Sequence, residues 1–148
     1  MEIINLIKER FGEKIQFIES IDYPTVKVGV KDFFNFIKEI KSSSELGFDF
    51  LLDLTAAELD ESFEAVYHLM NLKNNQIIRI KVCLDKDNPS IDSITGLYKA
   101  ADMQEREAYD LLGINYDGHP NLKRILCPDD FEGHPLRKAF SVQDRGSK

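Results

Sequence analysis

At 148 residues, 43% hydrophobic and 30% charged, the chain has the mix of an ordinary soluble globular protein and room for one domain that buries about two-thirds of its unfolded surface. The net charge of −7 lies wholly in residues 1–113, which leaves no basic face with which to displace counterions and excludes general nucleic-acid binding. The apolar runs are short and broken by charge, so none spans a bilayer. The start MEIINLIKER lacks the basic opening and small-residue cleavage site of a signal peptide, so the chain reads as intracellular, with membrane contact only through partners.

Ile3, Ile4, Ile7 and Phe11 recur at helical spacing, with Gly12 as a stop. Val26, Val28 and Val30 alternate with polar or small residues as in a half-buried strand. Phe33, Phe34, Ile37 and Ile40 return to helical spacing, with Asp32 as the expected amino-terminal cap. Three strands follow, with inward sets Phe48, Phe50, Leu52, Leu54; then Phe63, Ala65, Tyr67, Leu69; then Ile78, Ile80, Val82, Leu84. Asp60–Glu61 and Asn74–Asn75 supply the turns, Asn tolerating positive φ. Asp49, Asp53, Glu64, His68, Arg79 and Lys81 fall on the opposite face, which is therefore at least partly wet.

A third helix is predicted over 96–112, with Gly113 as its left-handed stop and Ile114 packing back on it. The fold class is α+β: an antiparallel or mixed sheet of four to five strands packed under two to three helices. Beyond Gly113 no periodicity remains, giving a domain over 1–113 and an extended, irregular, partner-binding tail over 114–148. A structureless stretch of this length is either disordered or functional. Its apolar residues Tyr116, Leu122, Ile125, Leu126, Phe131, Leu136 and Phe140 argue against disorder, leaving docking on a partner, or packing on its own domain.

Gly-His-Pro occurs twice, at 118–120 and 133–135, with Cys127, Asp129 and Asp130 between. These are metal-ligand types, but the spacing matches no standard zinc pattern, and histidines hydrogen-bonded to backbone at turns account for them better. Cys127 lacks a helix amino terminus to activate its thiol, Cys83 lies far from it, and two cysteines are too few for an iron–sulfur cluster held by this chain alone. Phosphate-loop, dinucleotide and nucleophile-elbow motifs are missing. On the third helix Arg106 is spaced to pair with Asp102 and Asp110 on a solvated face. Glu105 is different. At 100° per residue it sits in the middle of the apolar face, within about 60° of Tyr98, Ala101, Ala108, Tyr109 and Leu112. Burial there calls for a partner, and Arg124 or Arg137, returning over the helix, are the candidates.

The run Glu105-Arg106-Glu107-Ala108-Tyr109-Asp110-Leu111-Leu112-Gly113-Ile114, then Gly118-His119-Pro120-Asn121-Leu122-Lys123-Arg124-Ile125-Leu126 and Gly133-His134-Pro135-Leu136-Arg137-Lys138, resembles the thirty-kilodalton component (the C-subunit) of respiratory complex I, the proton-pumping NADH:quinone oxidoreductase. It departs from that pattern at Asp102-Met103-Gln104, where Asn-Trp-aromatic is usual, and at Ala139, where an acid is usual. The resemblance implies a hydrophilic scaffold subunit of the peripheral arm, on the cytoplasmic side of the cell membrane. Such a subunit has no catalytic residue, metal or cofactor of its own, although the parent complex uses FMN, iron–sulfur clusters and quinone. It implies that Glu105, Arg106, Glu107, Asp110, Gly113, Gly118, His119, Pro120, Leu122, Arg124, Gly133, His134, Pro135, Leu136, Arg137 and Lys138 serve binding to the large hydrophilic subunit that shares the quinone cavity, among other peripheral-arm subunits. Related scaffolds occur in membrane-bound energy-converting hydrogenases and ferredoxin-fed complexes, which is the alternative parent.

Overall fold

The computed structural model describes residues 2–139. Helix α1 (Glu2–Phe11) is followed by a short 3-10 turn, strands β1 (Ile15–Ile18) and β2 (Thr25–Val28), helix α2 (Phe33–Ser42) and strands β3 (Phe50–Glu58), β4 (Ser62–Asn71), β5 (Gln76–Asp85) and β6 (Ser90–Asp92). Helix α3 (Ala101–Leu112) and strand β7 (Asn115–Asp117) complete the regular elements. Five strands form one mixed sheet in the order β1-β2-β5-β4-β3, and β6 and β7 form a separate parallel pair. Only β2 and β5 run parallel within the large sheet. The α+β class, with a five-stranded mixed sheet and three helices, is as the sequence implies.

The long hairpin β4–β5 follows its pattern closely. Every second residue from Phe63 to Leu69 and from Ile78 to Leu84 is buried, because period-2 alternation puts one set of side chains on one face. Asn75 takes φ 60° at the turn. Phe33 of α2 lies tilted on Tyr67, with ring centroids 4.7 Å apart, and Phe36 meets Phe11 edge-on at 4.6 Å, so α1 and α2 close over the same face.

Several local expectations are corrected. In α2 the buried aromatics are Phe33 and Phe36, and Phe34 is only half-buried. Asp32 occupies the cap position without a side-chain bond; its carbonyl accepts from the Phe36 N–H. In β3 the register shifts between Leu51 and Asp53. The bulge turns Leu51 and Leu54 inward and leaves Phe50 and Leu52 about two-fifths exposed, since one extra residue flips the facing of those before it. Helix α3 begins at Ala101 rather than Gly96, the intervening residues forming turns on the Ile94 carbonyl. Regular structure also extends past Gly113: β7 pairs with β6, and Ile114 and Tyr116 are buried in the core. Val30, expected inside β2, lies beyond it and is exposed. Phe140 lies outside the described residues. No helix among the described residues is long and apolar enough to cross a membrane.

Candidate functional site: the α3–tail clasp

A helix leaves its last four carbonyls without intrahelical partners. Helix α3 has no basic residue in its last turn, so nothing of its own complements the negative pole there. The helix's own cap residue and the tail supply what is missing. The Tyr109 carbonyl accepts from the Gly113 N–H (2.8 Å), and Leu111 from the Leu136 N–H (2.9 Å). The Asp110 carbonyl accepts from Arg124 Nη2 (3.1 Å) and from His134 Nδ1 (3.0 Å), and Leu112 from Arg137 Nε (2.6 Å). Two guanidinium groups thus meet the carboxy-terminal pole of the helix.

Gly113 makes that approach possible. It has φ +78°, which L side chains rarely adopt, and a Cβ there would lie 2.6 Å from Arg137 Nη2 and 2.7 Å from His134 Cδ2. The residue that stops the helix is also the gap through which the tail reaches it.

Asp110 organises the middle of the clasp. Its side chain is fully buried. Oδ1 accepts from Arg124 Nε at 2.7 Å, and Oδ2 from the successive backbone N–H groups of Ile125 (3.0 Å), Leu126 (2.6 Å) and Cys127 (3.0 Å). Burial pushes the Asp110 carboxyl up, but Arg124 and these three amides outweigh it and hold the group well below the usual carboxylate range. Arg124 spreads its remaining donors over the carbonyls of Phe131 (2.6 Å) and Gly133 (2.5 Å) and stands 5.4 Å from the Phe131 ring centroid. One planar fork therefore ties two carbonyls of the tail to one carboxylate.

Two expected pairings are corrected here. Arg106 does not pair with Asp102 or Asp110: its Nε donates to the Lys123 carbonyl at 3.1 Å and its Nη2 to that of Arg124 at 3.4 Å. Glu105 is fully buried, as its place on the helix implies, but neither Arg124 nor Arg137 reaches it. Ser93 Oγ donates to its Oε1 (2.6 Å) and the Ile94 N–H to its Oε2 (2.9 Å). Burial raises the Glu105 carboxyl above its ordinary value against the pull of those two bonds. The arginines go instead to Asp110 and the helix carbonyls, acceptors that sequence spacing does not reveal.

Both tail histidines bond to backbone. His119 Nδ1 accepts from the Asn121 N–H (2.9 Å), which fixes the proton on Nε2, and Nε2 donates to the Asp102 carbonyl (3.2 Å). Among the described residues no three His, Cys, Asp or Glu side chains gather as metal ligands would. Burial and the neighbouring Asp110 push the Cys127 thiol up, away from the reactive range. Gly118 and Pro120 are exposed, Pro135 is half-buried, and Leu122 packs against the core. The Lys138 N–H donates to Glu58 at 2.5 Å and its Nζ to Asp60 at 3.1 Å, pinning the tail at the β3–β4 turn. Gln104, distinguished in the sequence only as a departure from the family pattern, accepts from the Leu54 N–H at 2.7 Å beside the β3 bulge; no sequence signal marks that contact.

The clasp also leaves three large apolar side chains outward. Leu126 is 63% exposed, Leu136 61% and Met103 53%, while exposed Glu107 and Leu136 border a small groove between α3 and β3.

The family described as respiratory-chain NADH dehydrogenase, 30 Kd subunit, matches residues 26–146, the whole of the clasp included. The chain belongs to this family. The NADH-quinone oxidoreductase C-subunit of Moorella thermoacetica is 45% identical to it, over 97% of this chain and 99% of that protein. The NADH-quinone oxidoreductase C/D-subunit of Acinetobacter baumannii is 36% identical over 95% of this chain, which spans 25% of that longer protein. A chain of the membrane-bound sulfane sulfur reductase (MBS), an archaeal respiratory membrane complex, superposes with a TM-score of 0.83 over 99% of this chain and 88% of its own, at 23% identity. That likeness is one of fold. Asp110, Gly113, Arg124, His134 and Arg137, which the sequence resemblance singles out, all bind one another or the end of α3.

Proposed function

We propose that the chain is a non-catalytic, cofactor-free scaffold subunit in the peripheral arm of a proton-pumping NADH:quinone oxidoreductase, held on the cytoplasmic side of the cell membrane by its partners. Its region 114–148, together with α3, clasps the large hydrophilic subunit that shares the quinone cavity. FMN, iron–sulfur clusters and quinone belong, on this reading, to other subunits. The observation that carries it is the contrast within the clasp. Asp110, Arg124 and Arg137 are turned inward at the end of α3, whereas Leu126, Leu136 and Met103 are presented to solvent on elements that hydrogen bonds already hold in shape. Large apolar side chains held exposed on a preorganised element favour an interaction site. A relative named as a C/D-subunit, in one long chain, supports a partner that works at close quarters with the thirty-kilodalton component. The likeness to a chain of a sulfane sulfur reductase complex concerns a fold that can serve parents with other donors, so a hydrogenase-like or ferredoxin-fed parent is the second reading; the 45% identical NADH-quinone oxidoreductase relative favours the quinone-reducing one.

Co-expression with the large subunit tests this. The wild-type chain is expected to co-purify with it, and the double substitution Leu126→Asp, Leu136→Asp to remain folded yet fail to do so. Undiminished co-purification of that variant would place the interface elsewhere.

A further inference from the structure

Two carboxyl groups are fully buried among the described residues, Glu105 and Asp110. Asp110 has its arginine. Among the described residues Glu105 has no cation in contact, and its hydrogen bonds run only to Ser93 and Ile94. Oε1 lies 2.6 Å from Ser93 Oγ. Ser93 Oγ lies 2.9 Å from Thr95 Oγ1, with either atom able to donate, and also accepts from the Thr95 N–H at 3.2 Å. Thr95 is half-buried, and with Ser93 it lines an open cleft of about 400 Å³ at the ends of β6 and β7, beside Asp92 and Asp117. Three oxygens therefore run at hydrogen-bond spacing from the interior to water.

The other groups facing the carboxyl offer no such route. Tyr67 of β4 and Tyr116 of β7 are buried within its electrostatic reach, and neither hydroxyl has a hydrogen-bond partner among the described residues. His119 favours the ionised form and Asp102 opposes it.

We propose that Glu105 is a proton-loading site, and that the hydroxyls of Ser93 and Thr95 carry its proton to and from the cleft while α3 stays packed. On release, the proton on Oε1 passes to Ser93 Oγ, the Ser93 proton to Thr95 Oγ1, and the Thr95 proton to water in the cleft. Each hydroxyl gains one proton and loses one. The carboxylate left behind accepts from the Ser93 O–H and the Ile94 N–H, the two donors already in place. Uptake runs the same path in reverse. Burial, with no cation in contact among the described residues, favours the neutral form of the carboxyl, and the relay lets it equilibrate without unfolding.

Infrared spectroscopy of the full chain after transfer from H₂O to D₂O tests this, with Glu105→Gln identifying the carboxylic-acid band. Thr95→Val is expected to slow deuterium exchange at Glu105 by at least about tenfold, since exchange must then await local opening. The titration midpoint should stay where it was, because Thr95 does not touch the carboxyl, and Thr95→Ser should restore the rate. Ser93→Ala, which removes a donor to the ionised form, should both slow exchange and raise the midpoint. Exchange at the wild-type rate in Thr95→Val would overturn the relay. So would a Glu105→Gln spectrum that loses no carboxylic-acid band at any pH where the chain is folded.

Discussion

Asp110 and Glu105 lie five residues apart on one helix and respond to pH in opposite senses. The Asp110 carboxyl is held below its ordinary range, so its unfolded form, titrating near pH ~3.9, takes up protons first on acidification. Stability from this group is present above that value and is lost as pH falls through the folded one. The Glu105 carboxyl is raised, so between the unfolded and folded values the native state holds the extra proton, and stability falls as pH rises through that window. Asp110→Asn leaves Arg124, only 11% exposed in its side chain, without its anion, and breaking such a buried pair costs about 3–5 kcal/mol. Denaturant midpoints should fall accordingly at neutral pH, and the loss on acidification should be shallower than in the wild type. Glu105→Gln resembles the neutral carboxyl and strands no cation. It should cost no more than about 1 kcal/mol where Glu105 is protonated, and flatten the decline toward alkaline pH. A neutral-pH loss as large as that of Asp110→Asn would mean a cation does reach Glu105.

At the level of elements, the legible parts of the sequence were those with long periods. The ten-residue strands β4 and β5 carry enough alternation to fix which face is inside, and Gly113 marks the end of α3 by its position alone. The three-residue strands β6 and β7 are too short to show a period, and the β3 bulge inverts Phe50 and Leu52 without any local signal. The clasp was legible as a set of residues but not as a set of contacts. Its acceptors are mainly backbone carbonyls, which every residue has and no sequence distinguishes. Gly113 tests how strictly the element ends are coupled. Replacing it by Ala puts a Cβ in the left-handed region, at about 1–2 kcal/mol, and against Arg137 and His134. The expected outcome is loss of more stability than the backbone term alone, with faster exchange of the Leu136 amide, whose bond to Leu111 depends on that approach. A loss confined to about 1 kcal/mol with Leu136 still protected would show that the tail can step aside.

Over the whole molecule, the question is whether the tail is part of the domain or waits for its partner. Its apolar residues suggested docking on another chain, yet the described tail is tied to α3 by Asp110, Arg124, His134 and Arg137, and α3 packs along β3. Tail and helix should then open as one cooperative unit, less stable than β4–β5 because its ties are polar and near the surface, but well short of unstructured. In hydrogen exchange on the isolated chain, the amides of Ile125, Leu126, Cys127 and Leu136 are expected to be protected, and to a similar degree. Arg124→Lys keeps the charge but loses the fork that spans the Phe131 and Gly133 carbonyls. It should speed all four amides together, by about tenfold for each 1.4 kcal/mol lost from the unit, while leaving the amides of β4 and β5 unchanged. Acceleration of Ile125 to Cys127 alone would split the unit in two. Exchange of all four at the rate of a free peptide in the wild-type chain would mean that the clasp closes only on its partner.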